Sequence, residues 1–220
     1  GPRPERIPLS PAQQRMWLIN RFDPASPVYN IPVAVRLSGH LDVDALQAAV
    51  DDVVQRHETL RTIFPMAECH LRSVQLTEGD IRSSAPEALP HQVVVDAAPL
   101  DLTPRVVTAD TLYDEIVAVA GRGFDVTVET PARGALLQLT GDEHVLVVVV
   151  HHIAADGAST MPLSRDILVA YQARLSGSEP AWAPLAVQYA DYAVWQRALL
   201  GDHSDPASIA ARQLAYWTET

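Results

Sequence analysis

The sequence predicts an α/β chain built as a layered α+β sandwich, and three observations predict it. Strand-type and helix-type periodicities follow one another in the order βα, βα, hairpin, then helices, the pattern of helices layered on a sheet. Residues 145–150 form an unbroken apolar run, rich in valine, that fits a strand covered on both faces. Residues 135–139 and 145–151 flank Gly141-Asp142-Glu143, which reads as an antiparallel hairpin. At 220 residues the chain has length for one large domain or two small ones.

Each element follows from local chemistry. Residues 9–22 read as a helix: Ser10 caps its start, Pro11 suits the first helical position, and Gln13 closes a capping box. The Pro-, Ala- and Ser-rich stretch 23–27 ends it. Residues 29–38 alternate as a strand, with Ile31, Val33, Val35 and Leu37 on one face. Gly39-His40 turns the chain into a second helix, capped by Asp42 or Asp44, whose buried stripe is Leu46, Val50, Val53 and His57. Residues 58–64 lead out as another strand. Residues 66–87 are polar and aperiodic, with loop signals at Gly79-Asp80 and Ser83-Ser84, and read as an atypical loop. Residues 92–95 resume strand character. Leu112, Ile116, Val119 and Ala120 give helical spacing to 110–122. After the hairpin, 163–175, 187–200 and 207–218 read as helices, with a breaker stretch at 176–184.

Composition excludes several function classes. The 27 acidic against 16 basic residues give a net charge of −11, which argues against nucleic acid or an anionic membrane as the main partner. All 16 basic residues are arginine, so no side chain here can form a lysine Schiff base or act as a P-loop lysine. The single cysteine, Cys69, excludes an internal disulfide, suits a reducing cytoplasm, and has no identifiable base partner. No signal peptide is visible, and the apolar run at 145–150 is too short to span a bilayer. Residues 1–8 read as a tag remnant or linker, with Gly1-Pro2 as a protease scar.

The candidate chemistry converges on residues 145–159, VLVVVVHHIAADGAS. If the strand runs through His151 and His152, its period of two sends their side chains to opposite faces, and only one can face a given pocket. Asp156 lies four residues beyond His152, across a turn eased by Gly157. An imidazole delivered to a cleft by a rigid strand suits general-base chemistry near neutral pH. The same divergence argues against a His-His-Asp metal site, and no second His/Cys cluster completes a coordination shell.

Four separate stretches carry a resemblance, in one order: LSPAQQRMWLI at 9–19, RHETLRTIF at 56–64, HHIAADGAS at 151–159 and YADYAVWQR at 189–197. Together they resemble the N-terminal half of a condensation domain from a nonribosomal peptide synthetase. Residues 211–220, with Gln213, Tyr216 and Trp217, resemble the family's crossing out of the first lobe. The likeness covers nearly the whole chain except 66–87, where the family is usually shorter.

The resemblance implies a fold like chloramphenicol acetyltransferase, with residues 9–220 as one lobe of a V-shaped, pseudo-dimeric domain. The C-terminal lobe, which supplies the other wall of the active-site channel, is missing. It implies amide bond formation: the amine of an acceptor aminoacyl thioester attacks a donor acyl or peptidyl thioester. Both substrates hang on phosphopantetheine arms of donor and acceptor carrier proteins. An adenylation domain is the expected neighbour, antibiotics or siderophores are the product class, and neither metal nor dissociable cofactor is required. By the same resemblance His152 faces the channel, either as the base for the amine or as the group that positions it. An α-amine has a reference pKa of about 8, so both duties are open to it. His151 points the other way as a structural residue. Asp156 pairs with Arg61 to hold the loop, and Gly157 lets backbone approach the thioester, with a nearby N–H for the oxyanion. Trp17, Trp195 and Trp217 are expected in the core or at the lobe interface.

Two further classes compete with the acyltransferase lobe. One is a folded fragment that displays part of a site and turns nothing over until paired, because half a channel neither excludes water nor binds both arms. The other is different chemistry on the same scaffold: epimerisation, cyclisation or O-acylation. Cyclising relatives replace the first histidine with aspartate, so His151 speaks against them. Simple O-acyltransferases share HxxxD but not RHETLRTIF together with YADYAVWQR.

Overall fold

The computed structural model describes residues 2–66, 89–96 and 98–219. The atypical loop read at 66–87 and Cys69 fall outside these residues, apart from Met66, which bridges to Pro90. In chain order the elements are β1 (Ile7–Pro8), α1 (Pro11–Phe22), β2 (Asn30–Ser38), α2 (Val43–Arg56), β3 (Thr62–Ile63), β4 (His91–Val94) and β5 (Pro104–Val106). They continue as α3 (Leu112–Gly121), β6 (Ala132–Thr140), β7 (Glu143–His151), α4 (Thr160–Leu175), α5 (Tyr189–Leu200) and α6 (Ile209–Glu219). The main sheet runs in the order β2-β7-β6-β5, antiparallel except for the β5–β6 pair, and β1-β4-β3 form a small antiparallel sheet beside it.

β7 is the axis of the lobe. It pairs along its length with β2 on one side and β6 on the other. Its odd residues Val145, Val147 and Val149 enter one core with Trp17 of α1, Phe64, Phe124 and Leu137, against which Ile116 and Val119 of α3 pack. Its even residues Leu146, Val148 and Val150 face the other core, with Leu46, Val50 and Val53 of α2 and Leu163, Ile167 and Tyr171 of α4. Burial on both faces is why the run lacks any polar alternation. The β6–β7 turn at Gly141-Asp142 closes the hairpin as the sequence reading has it.

Local chemistry sets the helix starts. Ser10 Oγ accepts from Gln13 N at 3.1 Å while Gln13 Oε1 accepts from Ser10 N at 2.9 Å, a complete capping box ahead of Pro11. Asp42 Oδ1 accepts from Ala45 N at 2.9 Å, which makes Asp42 the cap of α2.

One expectation is corrected, and two features go beyond the sequence reading. Residues 58–64 are not one strand: Glu58–Arg61 form a 3₁₀ turn, and only Thr62–Ile63 pair with β4. Local bonds win there, since Leu60 N donates to His57 O at 2.9 Å and Thr62 Oγ1 to Glu58 O at 2.6 Å. β5 went unread because it is a three-residue edge strand that opens on a proline. Residues 1–8, read as a linker, are held to the lobe: Ile7–Pro8 pair with β4, and Arg3 bonds Asp191 at 2.7 Å and Glu58 at 2.7 Å.

Trp17 is core, its indole N–H donating to Phe64 O at 2.8 Å. Trp195 and Trp217, by contrast, are 57% and 74% exposed, on α5 and α6.

Candidate active-site loop

β7 ends at His151, and the chain turns at once. Two backbone bonds fix the exit: His151 N donates to Pro131 O and His152 N to Tyr29 O, both at 2.8 Å. The parity of the strand then sorts the two imidazoles. His151 follows Val147 and Val149 inward and is 1% exposed, between the rings of Tyr29 and Phe124 at 6.2 and 6.0 Å. Its Nδ1 accepts the Ile153 N–H at 3.1 Å, so in the neutral ring the proton sits on Nε2. Burial, with His152 and Arg133 nearby, pushes its pKa down to about 4. His151 is therefore a neutral hydrogen-bond acceptor that shapes the turn.

His152 is exposed. Its Nδ1 lies 2.8 Å from Ala155 O, and a carbonyl only accepts, so Nδ1 carries the hydrogen. The lone pair of the neutral ring then belongs to Nε2. The turn is closed by Ala154 N donating to His151 O at 2.9 Å, and braced from outside by Thr59 Oγ1 donating to Ala154 O at 3.0 Å.

Asp156 starts a second 3₁₀ turn, Gly157–Ser159, that feeds α4. Its Oδ1 accepts from Ser159 N at 3.0 Å and Ser159 Oγ at 2.7 Å, while Asp156 N donates back to that hydroxyl at 3.1 Å. The Ser159 hydroxyl, helped by backbone N–H groups, holds the exposed carboxyl below the usual carboxylate range. The expected Asp156–Arg61 pair is not made. The 3₁₀ turn at 58–61 aims Arg61 at backbone carbonyls instead, Val95 O at 2.6 Å and Gln55 O at 3.4 Å, and Asp156 is satisfied within its own cap. Gly157 keeps an ordinary backbone conformation, and a Cβ there would meet nothing within 4 Å. The lobe's own packing places no demand for glycine at that position.

The loop stands between two concavities. On one side lies an apolar groove of about 300 Å³ between β2, β7 and α4, with Ala155, Asp156 and Ser159 in its wall. On the other lies a more open hollow of about 290 Å³ that includes His57, Thr59, Ala154 and Ala158. α4 is pinned to α2 by two charge clusters. Asp166 accepts from Arg56 Nε at 2.9 Å and bonds His57 Nε2 at 2.8 Å, and Arg174 grips Asp52 at 2.7 and 2.6 Å. Sequence reading missed Thr59, Ser159 and Asp166. Only Ser159 left a signal, as the third residue after Asp156 in a capping pattern; the other two act across long sequence separations. Among the described residues no group of three or more His, Cys, Asp or Glu is arranged to hold a metal ion, and no helix is long and apolar enough to cross a membrane.

Comparison with known proteins adds a family and a fold. A family model described as a condensation domain matches residues 4–220. The chain is 46% identical over 220 residues to an isonitrile lipopeptide synthase of Mycobacterium tuberculosis, covering 98% of this chain and 8% of that protein. It is also 46% identical over 218 residues to a dimodular nonribosomal peptide synthase of Bacillus subtilis, covering 99% of this chain and 8% of that one. Among solved structures, the X-domain of teicoplanin biosynthesis in complex with OxyB superposes with TM-score 0.84 at 40% identity, over 100% of this chain and 44% of that one. The starter condensation domain of rhizomide synthetase shares the fold alone, with TM-score 0.71 at 20% identity over 98% of this chain and 48% of the other. The layered lobe expected by likeness to chloramphenicol acetyltransferase is the architecture these structures share. The chain thus spans under half of the solved structures it matches and a small fraction of the synthetases.

Proposed function

Because the chain belongs to the condensation-domain family of nonribosomal peptide synthetases, we propose that it supplies the histidine-bearing lobe of a site that makes amide bonds between carrier-bound thioesters. One observation carries this reading: an exposed His152 whose Nδ1 is committed to Ala155 O, which leaves a basic Nε2. The acceptor's α-amine attacks the donor thioester carbon, a C–N bond forms and the C–S bond breaks. His152 Nε2 accepts a hydrogen bond from the amine, takes its proton as the nitrogen becomes cationic, and returns it to the departing pantetheine thiolate. With amine reference pKa values of about 8, positioning contributes alongside proton transfer. Asp156 takes no proton in this scheme; it caps the turn that aims the loop. The empty space at Gly157 suits close approach of a thioester, whose developing oxyanion would be met by backbone N–H there.

The partners that fit are donor and acceptor carrier proteins with phosphopantetheine arms, an adjacent adenylation domain, and a second lobe that closes the channel and excludes water. The cytoplasm is the setting that suits them. The deciding experiment is single-turnover condensation between loaded donor and acceptor carriers, followed by intact mass, with this chain alone and with a matching second lobe. We expect transfer only from the paired lobes and a drop of about 10²–10⁴ in rate for His152→Ala at unchanged Tm. Transfer that survives His152→Ala, or none from a verified lobe pair with suitable substrates, overturns the reading. In the second case, loss of stereochemistry at the donor α-carbon would instead point to epimerisation.

A further inference from the structure

The corner from Arg56 to Thr59 joins α2 to the first 3₁₀ turn, and residues far along the chain in both directions hold it. Gln188, just ahead of α5, grips the backbone on either side of His57: its Nε2 donates to Arg56 O at 2.9 Å and its Oε1 accepts from Glu58 N at 3.3 Å. Arg3 spreads its guanidinium over two carboxylates, with Nε and Nη2 on Asp191 at 2.7 and 3.1 Å and Nη1 on Glu58 at 2.7 Å. Asp191 also accepts from Gln188 N at 2.9 Å, so the two anchors lock each other. The Arg3 fork, with that N–H, holds the Asp191 carboxyl down at about 2. Among the described residues no other cation pairs with Glu58 or Asp191, and like charges this close repel once Arg3 is gone. Arg3 itself has little room to move. Behind it Ile7–Pro8 pair with β4, Leu9 O accepts from Arg197 Nε at 2.5 Å, and Ser10 Oγ lies 3.1 Å from the Tyr189 hydroxyl.

What the corner reaches is the histidine loop. Thr59 Oγ1 donates to Ala154 O at 3.0 Å, and the next carbonyl, Ala155 O, fixes His152 Nδ1 at 2.8 Å. A shift of the corner by about half an ångström takes the Thr59 bond out of range. We infer that Arg3 and Gln188 are positioning residues for acyl transfer: they set the corner that carries Thr59, and through it the direction in which His152 Nε2 points. This rests on the acyl-transfer reading above and adds the remote groups on which its base depends. The coupling runs through contiguous hydrogen bonds, so removing one link should silence those behind it.

The test uses the two-lobed protein with loaded donor and acceptor carriers. Arg3→Ala and Gln188→Leu should each lower the saturating rate about three- to fivefold, with the half-saturating carrier concentration unchanged. Arg3→Lys keeps the charge without the fork and should recover part of the loss. The control is Arg174→Ala, which removes a pair with Asp52 as buried as that of Arg3 with Glu58 but at the far end of α4; it should lower Tm and leave the rate alone. In a Thr59→Val background, Arg3→Ala should cost less than about 1.5-fold more, because the bond it acts through is already gone. Losses that multiply, or equal slowing by Arg174→Ala, overturn the inference, since the anchors would then only stabilise the fold. A second readout needs no turnover. With isotope-labelled histidines at alkaline pH, NMR should find the His152 ring fixed as its Nδ1–H tautomer, and mixed in Arg3→Ala. The two readings fail separately. His152-dependent condensation with rate and tautomer unchanged in Arg3→Ala removes the positioning role alone. A tautomer that responds to Arg3→Ala, with no condensation by any donor from a verified lobe pair, removes the acyl-transfer reading alone.

Discussion

The two faces of β7 are built from the same kinds of aliphatic residue and each runs out at a histidine, yet they do opposite things. The odd face buries Val145, Val147 and Val149 against α1 and α3 and closes over His151, which becomes a neutral part of the packing. The even face carries Leu146, Val148 and Val150, but α4 covers it only partly, and the strand's next residue, His152, stands in the open. What separates a structural imidazole from a chemically available one is therefore a single step in parity plus the reach of one helix. The lesson concerns pairs of adjacent histidines: the covering layer decides their chemistry, not the residue type.

The largest effect that can break this comparison is on stability. Val147→Ala should cost about 2–3 kcal/mol, lowering Tm by roughly 4–12 °C, whereas Val148→Ala should cost under about 1 kcal/mol because its side faces the groove. Equal losses in thermal unfolding would mean the even face is as tightly closed as the odd one. Next comes pH. His151 titrates near 6.5 when unfolded but near 4 when folded, so between those values the unfolded chain binds a proton that the native lobe does not. Its contribution is complete above about pH 6.5 and is lost as pH falls toward 4. Plots of Tm against pH should therefore slope upward through that window, and His151→Asn, which keeps an acceptor for Ile153 N, should flatten them.

How much of this was legible follows from the range over which each residue acts. The capping box at Ser10, the hairpin, the double-faced β7 and the divergence of His151 from His152 all rest on neighbours within a few residues, and periodicity reads such neighbours directly. Thr59, Asp166 and the groove depend on pairs about one hundred residues apart, which no local pattern encodes. The Asp156–Arg61 pair shows the converse error: a long-range contact carried over by likeness, where a local cap had already satisfied the carboxylate.

Two smaller effects sharpen the contrast at the loop. Thr59→Val keeps the shape but removes the bond to Ala154 O, and turnover of the paired lobes should fall about fivefold with Tm within a few degrees of the parent. No change in rate would show that the turn at 152–155 needs no brace. Last, a double-mutant cycle of Asp156→Asn and Arg61→Gln should be additive within about 0.5 kcal/mol, as for residues that share no bond. A larger coupling in chemical unfolding would restore the ion pair.

The position of β2 has a further consequence. It lies at the end of the sheet order and, among the described residues, pairs only with β7, so along its nine residues the backbone donors and acceptors of every second residue face outward. Such rows recruit other strands unless something blunts them. Here Pro32 removes one donor and Arg36 supplies one charge, which leans toward Glu143 at 3.7 Å, and with no lysine in the chain the commonest guard of an open edge is missing. Handled alone, the lobe carries its own template for aggregation along β2, and a second charge on the outward side of that strand is the simplest way to keep it in solution.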